Sequence, residues 1–187
     1  MSTKIFKKET DCEKLIEHRM NFKNYLDYDI PFIYICDQDT FIGYDESNNM
    51  IGGFTLIKNL EMSRTWAQCP SFAKERFLKT YEVDDSDCCE FTFYWLKDKS
   101  FGFWFTFNLV KTILFYPKKY FIFSFDQTKK RLKNYYDKGD PVYIYSGPVR
   151  IDGLISYEYI LAVSKFGIFK IFLSRTLKIF LKKRIKE

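Results

Sequence analysis

CCEFTFYWLKDKSFGFWFTFNLVKTILFY (88–116), followed by YFIFSF (120–125), DQTKKRLKNYYDKGD (126–140) and PVYIYSGPV (141–149), is the stretch that decides the fold. Its first piece reads as a strand, then a short polar turn capped by Ser100, then an apolar helix. The next three pieces read as strand, helix and strand. Cys88 and Cys89 are adjacent, so in a strand they point to opposite faces.

Upstream, residues 11–26 carry Leu15, Met20, Phe22 and Leu26 among polar residues, a helical pattern entered through Thr10 or Asp11 and ended by Pro31. Phe32–Cys36 is expected as a short strand, with a turn over Asp37–Thr40. Phe41–Tyr44 and Met50–Lys58 form a hairpin around Asp45–Asn49, and a short helix follows Pro70. Downstream, Leu154–Val163 is a strand and Lys165–Lys186 a terminal helix. An antiparallel N-terminal sheet followed by crossover units predicts a mixed α/β (α+β) domain, a twisted and mostly antiparallel sheet with flanking helices. No linker or repeat divides the chain; residues 1–164 are expected as the domain, and 165–187 as a basic amphipathic helix that is part of it or faces a membrane.

With 187 residues the chain can bury roughly 70% of its unfolded surface. At 47% hydrophobic and 20% aromatic it is not a disordered chain. The 21 Phe and 14 Tyr fit AT-rich codon usage, an apolar pocket lined by rings, or both. The net charge of +6 is concentrated after residue 165, which argues against a general nucleic-acid surface. Five cysteines without a CxxC and a single histidine, His18, argue against a zinc site or a disulfide framework. MSTKIFKKETD lacks the apolar core of a signal peptide, and Phe101–Tyr116, the nearest approach to a membrane span, is short and contains Asn108 and Lys111. A reducing cytoplasm is the expected setting.

The order of elements resembles the GNAT acyltransferase superfamily, and within it the acyl-homoserine-lactone (autoinducer) synthases and N-acyl amino acid synthases. TFIGYDESNNMIGGFTLI is similar to the family hairpin, and CEFTFYWL to the strand that opens on a Glu. FWFTFNLVKTILFY and YFIFSFD stand where the family has its donor-site helix and next strand. RLKNYYDKGDPVYIYSGPVRIDGLISYEYILAVS is similar to its close, so the likeness spans residues 12–163. It implies a donor thioester of coenzyme A or an acyl carrier protein, and no metal. Autoinducer synthases carry a Glu-x-x-Arg; here Glu90 fits and Phe93 replaces the Arg. A second family Arg is replaced at Leu56 or Ile57, while Arg19, followed by Phe22, fits an N-terminal one and Asp37 and Asp39 partly meet the acidic run. Lactone formation is therefore not expected; acyl transfer to another small amine or hydroxyl is.

Amide formation from a thioester needs a base for the ammonium, an oxyanion site and a way to accommodate the leaving thiolate. Glu90, set among Phe91, Phe93 and Tyr94, is the candidate base, acting through a water with its pKa raised by burial; the plain alternative is a strand-end carboxylate in solvent. The resemblance implies an oxyanion site on the backbone N–H groups of Phe93, Tyr94 or Trp95, and a proton for the thiolate from Tyr135 or Tyr136. The helix opening at Ser100 offers N–H groups and a positive dipole end to phosphate, with Lys97 and Lys99 adding charge. The GNAT phosphate loop is glycine-rich, yet Leu96–Phe103 supplies only Gly102, which favours a carrier-protein donor. Phe101, Phe103, Trp104 and Phe107 are candidates for an acyl tunnel, with Phe103 and Phe107 expected toward the core and Trp104 toward the chain. Arg64 and Trp66 fall in the segment that closes over the acceptor in the family.

In the terminal helix, Phe169, Phe172, Leu173, Leu177, Phe180 and Leu181 follow one stripe, with Lys170, Arg175, Lys178, Lys182 and Lys186 mostly off it. Such a helix suits an anionic membrane interface or an acidic carrier protein; packing on the sheet produces the same stripe. The competing function is a catalytically inactive GNAT-like module that binds lipid or protein.

Overall fold

The computed structural model describes residues 4–26, 31–151 and 154–184. Asp152 and Gly153 of the closing turn lie outside the described residues, as do the side chains of Leu177, Lys178, Phe180, Leu181 and Lys182 and all of Lys186. Seven strands form one sheet in the order β1-β2-β3-β4-β5-β7-β6: β1 Ile5–Glu9, β2 Asp39–Tyr44, β3 Met50–Ile57, β4 Cys88–Leu96, β5 Tyr120–Asp126, β6 Val142–Ile151 and β7 Leu154–Ser164. All neighbours are antiparallel except β4 and β5, joined by the crossover helix α5 (Gly102–Phe115). Helices α1 (Cys12–Leu26), α2 (Ile33–Cys36), α3 (Arg64–Gln68) and α4 (Ser71–Tyr81) cover one face. On the other lie α5, α6 (Lys130–Tyr136) and α7 (Lys165–Arg184). The adjacent cysteines divide as the pleat requires, Cys89 in the core under α5 and Cys88 in the core under α3 and α4; both are free thiols.

Three elements differ from the sequence expectation. One is α3, a helix capped by Ser63 that precedes Pro70, where the sequence predicts a helix only after it. Phe32–Cys36 is not a strand: Pro31 accepts the Tyr34 N–H and starts a helical turn, Ile33–Cys36, which buries Ile35. A short apolar run has no period by which to tell the two apart. Ile5–Glu9, not anticipated, is an edge strand on β2, and its exposed Lys7 and Lys8 blunt an otherwise open edge.

His18 is fully buried on α1, where its Nδ1 accepts the Trp95 indole N–H at 2.9 Å. Its Nε2 therefore carries the proton and faces Thr55 Oγ1 at 3.4 Å, and Thr55 in turn bonds Thr40 at 2.9 Å. Burial lowers its pKa to about 3, so the ring is neutral and ties α1 to β3 and β4.

Candidate active site

Strands β4 and β5 stay together for three residue pairs only, Cys88–Tyr120, Cys89–Phe121 and Glu90–Ile122, and then separate. Past Glu90, the backbone groups of β4 that point toward β5 have no strand to bond. A bulge accompanies the split. The β3 register passes from Gly53↔Trp95 to Thr55↔Thr92, which sets Phe93 and Tyr94 against Phe54, and Phe93 takes the left-handed φ of 54°. That conformation is costly for an aromatic residue and is held by its surroundings, here the edge of the Phe22 ring at 5.3 Å. The bulge also resets the alternation: Phe93 and Trp95 both join the α1 side, while Tyr94 turns to the α5 side.

Glu90 closes the split on the α3 face. It is buried; its Oε1 accepts the Thr65 hydroxyl at 2.5 Å, and its Oε2 has no partner among the described residues. Thr65 Oγ1 also lies 3.2 Å from the hydroxyl of Ser124 on β5, whose residue is exposed. The hydroxyls thus connect an enclosed carboxyl to the surface. Burial raises the Glu90 pKa above 4.5; the bonds from Thr65 and Ser63 and the charge of Arg64 oppose that shift without cancelling it. A carboxyl that releases its proton nearer neutrality is what a general base for an ammonium requires.

The opposite face of the split opens into a cavity of about 740 Å³, within the range of ligand pockets. Phe91, Tyr94 and Phe123 form its floor, α5 and α7 its walls, and Tyr135 and Tyr136 of α6 its far side. Tyr136 packs on Phe123 at 4.8 Å and stacks on Phe125 at 5.5 Å; burial pushes its pKa up, so it keeps its proton. Three cations, Arg131, Lys138 and Arg175, share this lining.

Comparison with protein-family models and with curated proteins finds no match. Solved structures do match. The N-acyl amino acid synthase FeeM from uncultured soil microbes superposes with a TM-score of 0.63 at 11% identity, over 88% of this chain and 92% of that one. NAA60 of Arabidopsis thaliana, in complex with a bisubstrate analogue, gives 0.56 at 12% identity over 87% and 98%. The AHL synthase LasI gives 0.51 at 9% identity over 88% and 91%. The chain has the GNAT fold. At these identities the likeness is one of fold, and the chemistry must be argued from this chain's own side chains.

Within this GNAT fold the sequence candidates part company. Glu90, Phe93 and Tyr94 meet at the split, with Tyr135 and Tyr136 across the cavity. Phe22 joins them from α1, and Arg64 reaches the vicinity while lying over Tyr34 at 5.8 Å; Arg19 is half-buried on α1. Trp66 is core, packed on Phe77. Asp39 lies across the sheet from Glu90, paired with Lys8 at 2.7 Å and accepting the Tyr116 hydroxyl at 2.8 Å. Phe103 and Phe107 do not face the core as expected but are 58% and 51% exposed; Phe105, Leu109 and Ile113 point inward instead. Trp104 packs edge-on against Phe6 of β1, away from the cavity. The helix entry also differs from the expectation for Ser100. Asp98 is the cap, its Oδ1 accepting the Ser100 N–H at 2.6 Å, and Lys99–Phe101 form a tight turn before α5 begins at Gly102. Lys97 and Lys99 are exposed, and Leu96 packs on the core under α5. Among the described residues no group of His, Cys, Asp and Glu could hold a metal ion.

Proposed function

We propose that the chain is an N-acyltransferase that moves a medium or long acyl chain from a coenzyme A or acyl-carrier-protein thioester to the amine of a small acceptor such as an amino acid. One observation carries this reading: the β4–β5 split separates a buried carboxyl, its pKa raised by that burial, from a large apolar cavity. The acceptor approaches on the α3 face and loses its ammonium proton to Glu90, directly through a water at Oε2 or by way of Ser124 and Thr65. The amine attacks the thioester carbonyl; the C–N bond forms, the C–S bond breaks, and unpaired backbone N–H groups of the β4 bulge receive the oxyanion. Tyr136, protonated, hydrogen-bonds the departing thiolate. The thiolate leaves as the thiol after taking up the second proton shed by the new amide nitrogen; Glu90 keeps the first. The acyl chain lies against Phe91, Phe123 and the wall of α5, which accounts for the aromatic load of this region. Incubation with carrier-protein and coenzyme A thioesters and a panel of amines is expected to release free thiol. Thioester binding without release for any amine would instead mark an inactive binding module.

Membrane contact belongs to the same reading, because both donor chain and product are lipid-like. Among the described residues no helix is long and apolar enough to cross a membrane. Helix α7 nevertheless has two apolar sides. Ile168 and Ile171 are buried inward, whereas Phe166, Phe169 and Leu173 are exposed, beside Phe103 and Phe107 of α5, whose rings meet Phe172. Packing accounts for the first side only, and Lys165 and Lys111 accompany the second. Phe169→Glu with Leu173→Glu is expected to abolish co-flotation with vesicles containing phosphatidylglycerol. Equal flotation of variant and wild type counts against it.

A further inference from the structure

The cations of the cavity are not where a GNAT fold reading of the sequence puts the phosphate-binding charge. At the start of α5 the Ser100 N–H is bonded by Asp98, the Phe101 N–H by the Asp98 carbonyl, and the Gly102 N–H by the Lys99 carbonyl. A carboxylate therefore stands at the helix entry and repels a second anion. Across the cavity the balance is reversed. Arg131 of α6, Lys138 in the turn after it and Arg175 of α7 line one apolar space, and none forms an ion pair with a described acid. The nearby acids are already engaged, Asp137 by Lys133 and Tyr143, and Asp140 by Lys170. Arg175 follows Ile168 and Ile171 at i+7 and i+4, so it continues the inward side of α7 to the cavity mouth. Its charge acts on Tyr94 at the split.

Resting on the acyl-transfer reading above, we infer that Arg131, Lys138 and Arg175 form the docking site for the phosphate of the donor's phosphopantetheine arm, with the acyl chain in the cavity they rim. The three residues are exposed at the rim of the apolar space, and cations beside such a low-dielectric wall bind a phosphate more firmly than the same charges in open water. The phosphate is common to coenzyme A and to the arm of a carrier protein. Since α7 crosses the N-terminal half of α5 through the Phe172 contacts, the arm enters between α6 and α7.

The test uses non-transferable hexadecyl thioethers of pantetheine, 4′-phosphopantetheine and coenzyme A, titrated calorimetrically into the full chain. In the wild type the phosphate is expected to add at least about tenfold in affinity over pantetheine, as charge-assisted hydrogen bonds do. That ratio should fall below about threefold in Arg131→Gln/Lys138→Gln/Arg175→Gln and stay at the wild-type value in Lys97→Gln/Lys99→Gln. An unchanged ratio in the triple variant, or a loss confined to the Lys97/Lys99 variant, overturns the inference and leaves acyl transfer standing. Equal wild-type affinity for pantetheine and phosphopantetheine thioethers does the same. Failure of the wild type to bind any thioether overturns both. Given the phosphate effect, a further gain for the coenzyme A thioether identifies free coenzyme A as the donor, and no gain identifies a carrier-bound arm.

Discussion

Glu90→Gln is expected to lower kcat/KM by about 10²–10⁴ while leaving the fold intact, because a positioned general base contributes on that scale. Gln matches the size of the protonated carboxyl and can still accept the Thr65 hydroxyl. The pH dependence separates a base from a merely structural group. Burial holds the Glu90 pKa above 4.5, so the ionised, active form accumulates only as pH rises past that value, and the rate climbs with it. Stability runs the other way. A carboxyl raised in the folded state contributes stability fully below 4.5 and loses it as pH rises through the folded pKa. The Gln variant cannot ionise, so it should be at least as stable as the wild type at neutral pH while being far less active. Thr65→Val removes a bond that favours the carboxylate, and is expected to move the rising limb of the rate profile to higher pH. Retention of wild-type kcat/KM within about threefold by Glu90→Gln would remove Glu90 from the mechanism.

How far the sequence shows this site depends on how local each interaction is. The strand–helix–strand–helix–strand order of 88–149 is legible because each element states its own period and its own boundaries. The burial of Glu90 is not: its neighbours Phe91 and Tyr94 turn to the other face of the sheet, and the α3 segment is what encloses it. Thr65 and Ser124 carry no such signal: they lie 25 residues before and 34 residues after Glu90 and meet it only because α3 packs over the split. The left-handed Phe93 is equally invisible, since nothing local favours that conformation in an aromatic residue and the bulge is imposed by pairing with β3. Arg175 is an intermediate case. Its spacing from Ile168 and Ile171 is readable, but the stripe built on Phe169 and Leu173 competes for the same helix, and only packing against α5 decides which side turns inward.

Gly167→Ala is expected to destabilise the protein, against the usual sign for such a change within a helix. Ala replaces helical Gly with a gain of roughly 1 kcal/mol when nothing obstructs the methyl. Here a Cβ on Gly167 would come within 2.3 Å of the Gly139 carbonyl oxygen and 2.8 Å of Val163 Cγ1. The first obstacle is backbone and cannot rotate away, so α7 must lift from the turn at Asp137–Gly139. Overpacking of this kind costs about 1–3 kcal/mol, which corresponds to roughly 2–12 °C in Tm for a chain of this size. Gly139→Ala meets the same contact from the other side, at 2.8 Å from the Gly167 carbonyl. Once one methyl has displaced the helix, the second should cost less, so the double variant is expected to be less destabilised than the sum. Lifting α7 also carries Ile168, Phe172 and Arg175 away from the cavity they line, so donor KM should rise with the fall in Tm. Calorimetric melting of both single variants and the double variant, alongside donor titrations, reads all of this. A Tm raised by Gly167→Ala would mean that α7 does not seat on this turn, and a lowered Tm with unchanged donor KM would mean that α7 forms no wall of the donor site.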